Sequence, residues 1–298
     1  MEAREPKEIE DRRTIIFVKG TKTGQVLNEA FKDLAALTRP NSIPFSKKNT
    51  VHPFESTESL EFWAGKNDAS MFAVGQSTKK RPNDICFVRM YDGRVLDMVE
   101  VGVENYKALT EFKVCSKTSR TCLLTSLQTT KATAGHKPLL HFASDLFETH
   151  PRLMQLKSML MCLFNGEEIS EIHLKGLEHV ISISCGPTPA SAEEVPKVHI
   201  RTYTTRLLAS GSRIPRVELT AMGPSMDLVL RRHEEANSEM MKQALRRPKL
   251  KKTDVEKGIG RKRKNMEVDD MGDLRGRIHI KQDLSKLQSK RMKALHDD

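Results

Sequence analysis

Aromatic residues make up only 5% of this 298-residue chain, with one tryptophan and three tyrosines among them. That scarcity argues against an RNA platform on which exposed rings stack successive bases. The five cysteines, Cys86, Cys115, Cys122, Cys162 and Cys185, form no CxxC pair. Neither a zinc site nor a redox motif has the ligand spacing it needs, so reduced, partly buried thiols are expected. No apolar run approaches the roughly 20 residues that span a bilayer. The first twenty residues carry Glu2, Glu5, Glu8, Glu10 and Asp11 where a secretory signal would be apolar. The expectation is a protein neither secreted nor embedded in a membrane.

Catalytic signatures are missing as well. None of the ten histidines falls in HExxH, and no serine sits in a GxSxG elbow with partners. The segment Gly20-Thr21-Lys22-Thr23-Gly24-Gln25 follows a strand and opens a helix, an arrangement that can hold phosphate. It lacks both the GK[ST] ending of a P-loop and the spacing of GxGxxG, so it reads as a strand-to-helix turn. The expectation is no enzyme activity, no cofactor and no metal. A phosphate-transferring enzyme built on residues 14–37 is the reading that nucleotide binding would revive.

What the chain has in excess is positive charge: 50 Lys and Arg against 39 Asp and Glu, a net +11 and a pI of about 9.4. Such a balance favours polyanionic partners, because each neutralised phosphate releases condensed counterions. The charge is unevenly placed. Residues 246–264 hold ten basic residues (Arg246, Arg247, Lys249, Lys251, Lys252, Lys257, Arg261, Lys262, Arg263, Lys264) against Asp254 and Glu256, so this window carries +8. Few apolar residues offset the ordering entropy there, and a largely disordered or transiently helical tail is expected.

Upstream of the tail, apolar periodicity outlines an α+β domain of two similar halves. Thr14 to Val18 reads as a buried strand, and Leu27, Ala30, Phe31 and Leu34 give a helix over 24–37 that Arg39-Pro40 stops. A shorter helix after Pro53 has Phe54, Leu60, Phe62 and Trp63 to bury. Strands follow at 70–76, 85–91 and 95–101, the last two joined at Asp92-Gly93, a dipeptide suited to a tight hairpin turn. The grammar then repeats: a strand at 138–142, a helix carrying Leu153, Leu156, Leu160 and Leu163 between Pro151 and Gly166, and strands at 180–184, 198–207 and 216–221. The reading divides the chain into an arm (1–11), two pseudo-symmetric halves (12–112 and 137–235) around an irregular connection (113–136), and a basic extension (236–298). Phe17, Phe31 and Trp63 are expected in the core, as is His141. Met154, Met159 and Met161 suit an adaptable core or a docking face.

The candidate RNA-binding residues are basic clusters, because phosphate contact needs projecting cations and tolerates loose spacing. They are Lys79, Lys80 and Arg81, then Arg216, Arg231 and Arg232, and in the tail Arg246, Arg247, Lys249, Lys251 and Lys252. Arg261, Lys262, Arg263 and Lys264 read as a nuclear-targeting run. Lys47-Lys48 is a further cluster, for which a merely solvated face is the alternative.

Three segments resemble landmarks of the Brix family of ribosome biogenesis proteins in order and spacing. They are Thr14 to Gly24 with its helix, Ser77-Thr78-Lys79-Lys80-Arg81-Pro82-Asn83-Asp84-Ile85, and Pro215-Arg216-Val217-Glu218-Leu219-Thr220-Ala221-Met222-Gly223-Pro224. The resemblance covers about residues 12–235, and the continuation Ser225 to Arg232 narrows it to one branch. It implies a Brix domain of two related α/β halves that pairs, as a heterodimer, with a ribosome biogenesis regulatory protein homologue. It further implies that the pair helps install the 5S ribonucleoprotein, 5S rRNA plus ribosomal proteins, in precursors of the large subunit. Contact with large-subunit precursor rRNA and residence in the nucleus and nucleolus follow from the same likeness. Gly223-Pro224 is expected to shape a turn. Two rival readings keep their place: another Brix-family rRNA-processing factor, and a protein–protein adaptor whose basic tail serves only nuclear import.

Overall fold

The computed structural model describes residues 14–112, 133, 135–164, 176–187, 195–211 and 214–246, and the strands at 266–268 and 274–276. The chain divides into two units, residues 1–247 and 248–298. In the second unit, β10 (Met266–Val268) and β11 (Leu274–Gly276) pair antiparallel. The 113–132 part of the connection, Gly166 and most of the basic tail lie outside the described residues.

The first unit is organised by one nine-stranded sheet. In chain order its strands are β1 (Ile15–Lys19), β2 (Ser42–Lys48), β3 (Met71–Gln76), β4 (Asp84–Tyr91), β5 (Arg94–Lys107), β6 (Leu139–Phe142), β7 (His179–Cys185), β8 (Val198–Leu208) and β9 (Arg216–Glu234). Their order in space is β2-β1-β3-β4-β5-β9-β8-β7-β6. In the first half β1 runs parallel to β3, and β3, β4 and β5 form an antiparallel meander. In the second half β6 runs parallel to β7, and β7, β8 and β9 form the matching meander. The last strands of the two meanders, β5 and β9, pair antiparallel and join the halves into one sheet. The repeated strand-helix-strands unit read from periodicity is thus a pseudo-twofold arrangement.

Helices α1 (Gln25–Leu37) and α4 (Pro151–Phe164) occupy equivalent places, and both bury their apolar stripes on the same face of the sheet. Leu27, Phe31 and Leu34 of α1 and Leu153, Leu156, Leu160 and Leu163 of α4 share one core with Phe17, Phe87, Val101, Ile181 and Leu228. The short α3 (Leu146–Thr149) leads into α4 and buries Phe147. The opposite face of the first half is covered by α2 (Glu58–Asn67) and the segment before it, over Ile16, Phe72, Val74, Val88 and Met98. Among the described residues no helix is long and apolar enough to cross a membrane.

Several expectations change. Strand β2, parallel to β1, has no counterpart in the sequence reading: it is an edge strand, mostly exposed, carrying Pro44, Lys47 and Lys48, residues that blunt sheet edges and hide the alternation. Phe62 is 61% exposed instead of buried, and Trp63 is half-buried, its ring edge-on to Phe45. His141 is exposed, because edge strand β6 turns it to the uncovered face. Of the methionines of α4, Met159 is buried, while Met154 and Met161 line a groove of about 500 Å³ together with Met71, Met90 and Met241. Gly223-Pro224 makes no turn: β9 runs through it for 19 residues, with a register shift against β8 close by and the Phe112 ring packed against Gly223. The hairpin at Asp92-Gly93 forms as expected, with φ of 50° and 71°.

Side-chain contacts between the halves supplement the β5–β9 ladder. Arg89 of β4 donates to Ser158 Oγ of α4 at 2.8 Å while its other nitrogens hold the buried Asp97 carboxylate. Within the second half, the side chain of Arg152 on α4 donates to the Arg231 carbonyl. Helix α5 (Ser238–Ala244), capped by the Asn237 side chain, ends the first unit and buries none of its residues.

Candidate nucleic-acid interface

Parallel strands deliver their following loops to one end of a sheet, and β1, β2 and β3 are parallel neighbours. The β1–α1 turn, the end of β2 and the β3–β4 loop therefore converge. Backbone bonds tie them together: Gly20 N donates to Gly75 O at 2.8 Å, Asn49 N to Lys19 O at 2.8 Å, and Ser77 N to Lys22 O at 2.8 Å. The loop between β3 and β4 is closed on itself, with Thr78 N donating to Arg81 O and Arg81 N to Thr78 Oγ1.

This convergence gathers cations distant in sequence. Lys22, Lys47, Lys48, Lys79 and Lys80 are exposed and, among the described residues, make no ion pair; Lys19 and Arg81 are half-buried beside them. Lys19 stands opposite Lys48 in the β1–β2 ladder. Lys19 and Lys22 escaped the sequence reading as single lysines. The signal that could have found them is the parallel pairing, which puts the loop after β1 beside the loop after β3.

Arg231 and Arg232 lie behind the β3–β4 loop. Arg231 pairs with Asp84 and donates to the Pro82 carbonyl at 3.1 Å, so it holds the loop by its base. Gly102 makes room for it: a Cβ there would stand 2.5 Å from the guanidinium. Arg232 donates from Nε to Glu100 Oε2 at 2.6 Å and stacks on the Phe54 ring at 4.3 Å; Arg81 reaches the same carboxylate at 3.8 Å. Burial raises Asp84 to about 7, with Arg231 pulling against it and the neighbouring Glu100 adding to it. Glu100 stays below the ordinary glutamate range, because burial, which pushes it up, is outweighed by Arg232 and Arg81. The structure therefore brings Arg81, Arg231 and Arg232 together around two buried carboxylates, and the lysines project in front of them.

The other candidates sit elsewhere. Arg216 is exposed at the free end of β9, opposite Leu208, at the far end of that strand from Arg231. Arg246 is exposed just after α5. Arg247, Lys249, Lys251, Lys252 and the run Arg261 to Lys264 lie outside the described residues. Chemically, the rim can accept a phosphodiester backbone at several points. It offers little means to read bases, since Phe54, the ring beside it, is capped by Arg232.

A two-half α+β domain with a cationic rim on one half defines a class of fold. The Brix domain profile matches residues 20–232, and the chain belongs to the Brix-domain family. Its curated relatives include the ribosome production factor 2 homolog of Schizosaccharomyces pombe, 37% identical over 297 residues, covering 99% of this chain and 87% of that protein. The ribosome production factor 2 homolog of Homo sapiens is 39% identical over 276 residues, covering 93% of this chain and 80% of that one. The solved structure of a probable ribosomal biogenesis protein from Aeropyrum pernix K1 overlays 75% of this chain at a TM-score of 0.43 and 12% identity, a likeness too slight to build on.

Proposed function

We propose that this protein is a non-enzymatic assembly factor of the large ribosomal subunit. In this reading it binds precursor rRNA and, as a heterodimer with a ribosome biogenesis regulatory protein homologue, helps bring the 5S ribonucleoprotein into nucleolar pre-ribosomes. The observation that carries it is the rim where three loops of a Brix domain set Lys22, Lys47, Lys48, Lys79 and Lys80 at one end of the sheet. Flexible lysines on tied loops suit phosphates of a folded RNA, whose spacing they can follow. Relatives named for ribosome production support the same reading, as does the +8 charge of residues 246–264. Arg231 and Arg232 serve as props of the lysine-bearing loop, Arg216 as an outlying contact, and the tail as an electrostatic anchor and nuclear address.

The test is crosslinking and sequencing of RNA bound to the tagged full chain in cells, beside a variant carrying Lys47→Glu, Lys79→Glu and Lys80→Glu. Enrichment of 5S rRNA and neighbouring large-subunit precursor, lost in the variant, is expected. In vitro, affinity for the enriched RNA should fall roughly tenfold or more and the salt dependence should flatten by about one phosphate contact per lysine removed. Crosslinks elsewhere in ribosomal precursors would point to a different Brix-type task, and no RNA above background would sink the proposal.

A further inference from the structure

Behind the lysine rim, two carboxylates occupy one buried niche. The ladder of β4 with β5 sets Asp84 opposite Gly102 and Cys86 opposite Glu100, so the two acids are diagonal neighbours on the face that α2 covers. Asp84 is 5% exposed and Glu100 4%, and each enters the other's hydrogen bonding. An irregularity of the sheet supplies their cations. Val99 stands opposite His233 and Val101 opposite Leu230, so a bulge sets two residues, Arg231 and Arg232, against Glu100 alone. Arg231 reaches Asp84 through the space that Gly102 leaves open, and Arg232 holds Glu100 at 2.6 Å. Arg81 comes from the β3–β4 loop and is held more loosely, 3.8 Å from Glu100 with its side chain 40% exposed.

Two acids in one niche keep a proton between them, because the second must ionise against the charge of the first. The surroundings decide where that proton sits. Burial lifts Asp84 to about 7 against the pull of Arg231, whereas at Glu100 the same push is outweighed by Arg232 and Arg81. The proton therefore belongs to Asp84, which donates it in a hydrogen bond to Glu100. A protonated Asp84 satisfies Glu100 together with Arg232 and leaves Arg81 free to turn outward. An ionised Asp84 puts a second charge in the niche and holds Arg81 inward. Further titratable groups stand about the niche: Cys86 on β4, whose thiol burial pushes far up, and Glu234 on β9. On the segment before α2, His52 bonds Gln76, which pairs with Asp84 in the β3–β4 ladder.

We propose that Asp84 and Glu100 are a proton-binding site coupled to the lysine rim, so that RNA seated on the lysines draws a proton onto the pair and Arg81 turns from Glu100 to a phosphate. The proton comes from solvent and adds to a carboxylate oxygen of Asp84; otherwise only an ion pair and hydrogen bonds are exchanged. The inference rests on the reading of the rim as an RNA surface, and it adds the condition under which the rim holds RNA best. A polyanion in front of the niche favours the added positive charge, and by reciprocity the added proton favours the polyanion. Affinity is therefore greatest while Asp84 is protonated and declines as pH rises through its range.

Binding of a 5S rRNA transcript to the full-length protein, at fixed salt from about pH 6 to about pH 8, tests it beside Asp84→Asn and His52→Gln. The parent should lose about fourfold in affinity across that range, the effect of one charge acting over roughly 10 Å near a protein surface. Its salt dependence should be steeper at the acidic end by about one phosphate contact, that of Arg81. Asp84→Asn, neutral and of the same shape, should bind at the alkaline end as tightly as the parent does at the acidic end. His52→Gln should keep the parent's slope. Calorimetry near neutral pH in two buffers of different ionisation enthalpy should show proton uptake on binding in the parent and none in Asp84→Asn. Binding without uptake, uptake that survives Asp84→Asn, or uptake that disappears with His52→Gln would each overturn the proposal while leaving the rim as an RNA surface. Should Asp84→Asn not fold, the parent and His52→Gln decide the question, equal uptake supporting the proposal. A parent protein that binds no RNA at any pH would take down the RNA reading, and the coupled proton site with it.

Discussion

The two halves share a strand-helix-strands plan and differ in what they do with the second face of the sheet. In the first half that face is apolar and closed: Phe72, Val74, Val88 and Met98 lie beneath α2. In the second half the corresponding positions are mostly polar and half-buried, as with Ser182, Ser184, His199, Arg201 and Tyr203, beside a buried Val180. Loop composition diverges in parallel. The first half gathers lysines at the ends of parallel strands, whereas the second extends an apolar β8–β9 ribbon. A duplicated plan lets the two copies finish the same face of the sheet differently.

The largest expected effect tests how closed the first half is. Phe72 is fully buried in the cluster under α2, so Phe72→Ala removes a ring and leaves a cavity in a two-faced core. A loss of about 3–5 kcal/mol is expected in denaturant unfolding. A loss near 1 kcal/mol would mean that α2 is a loose cover and that the contrast between halves is overstated.

An intermediate effect separates the halves by pH, because Asp84 in the first and Asp227 in the second are buried carboxylates shifted in opposite directions. Asp227 is held at about 2, below its ordinary 3.8: burial raises it, but His199, Asn105 and Arg201 outweigh burial. A depressed carboxylate contributes stability that is full above its unfolded value and is lost as pH falls through the folded one. About 2 kcal/mol should therefore disappear between pH 4 and 2, and Asp227→Asn should abolish that part of the acid limb. Asp84 is raised to about 7, chiefly by burial, so its linkage runs the other way. Its contribution is full below its ordinary pKa and is lost as pH rises through about 7. Asp84→Asn should remove the fall between about pH 4 and 7 and leave the limb below pH 4 unchanged. Melting temperature against pH for the two variants reads both limbs, and a shared limb would show that the two networks are not independent.

Much of this architecture is legible in the sequence because periodicity reports burial. Leu153, Leu156, Leu160 and Leu163 announce α4, and Thr14 to Val18 announce β1, since each set faces a core on one or both sides. Where burial is one-sided or weak the signal fades. Strand β2 alternates nothing, His141 sits in an apolar run yet points to solvent, and Gly223-Pro224 looks like a turn while lying within a strand. The rim was half legible. Lys79, Lys80 and Arg81 stand out as a run, but Lys19 and Lys22 join them only through the parallel pairing of β1 with β3. Arg231 and Arg232 read as phosphate ligands because charge is visible in sequence, and the carboxylates that occupy them, Asp84 and Glu100, are remote in the chain.

The smallest effect is the most informative about the exposed end of the β8–β9 ribbon. Val217 is more than half exposed, on a ribbon where its strand pairs, among the described residues, with β8 alone, so its side chain buries little on folding. Val217→Thr keeps the β-branched shape that strands favour and replaces one methyl with a hydroxyl. In the isolated protein the change in unfolding free energy should stay within about 0.5 kcal/mol. Phe72→Ala, on the equivalent face of the other half, should exceed it severalfold. If Val217→Thr instead destabilises the isolated protein by 1 kcal/mol or more, the ribbon already packs within its own chain. The two halves would then differ in the kind of cover they have and not in whether they are covered.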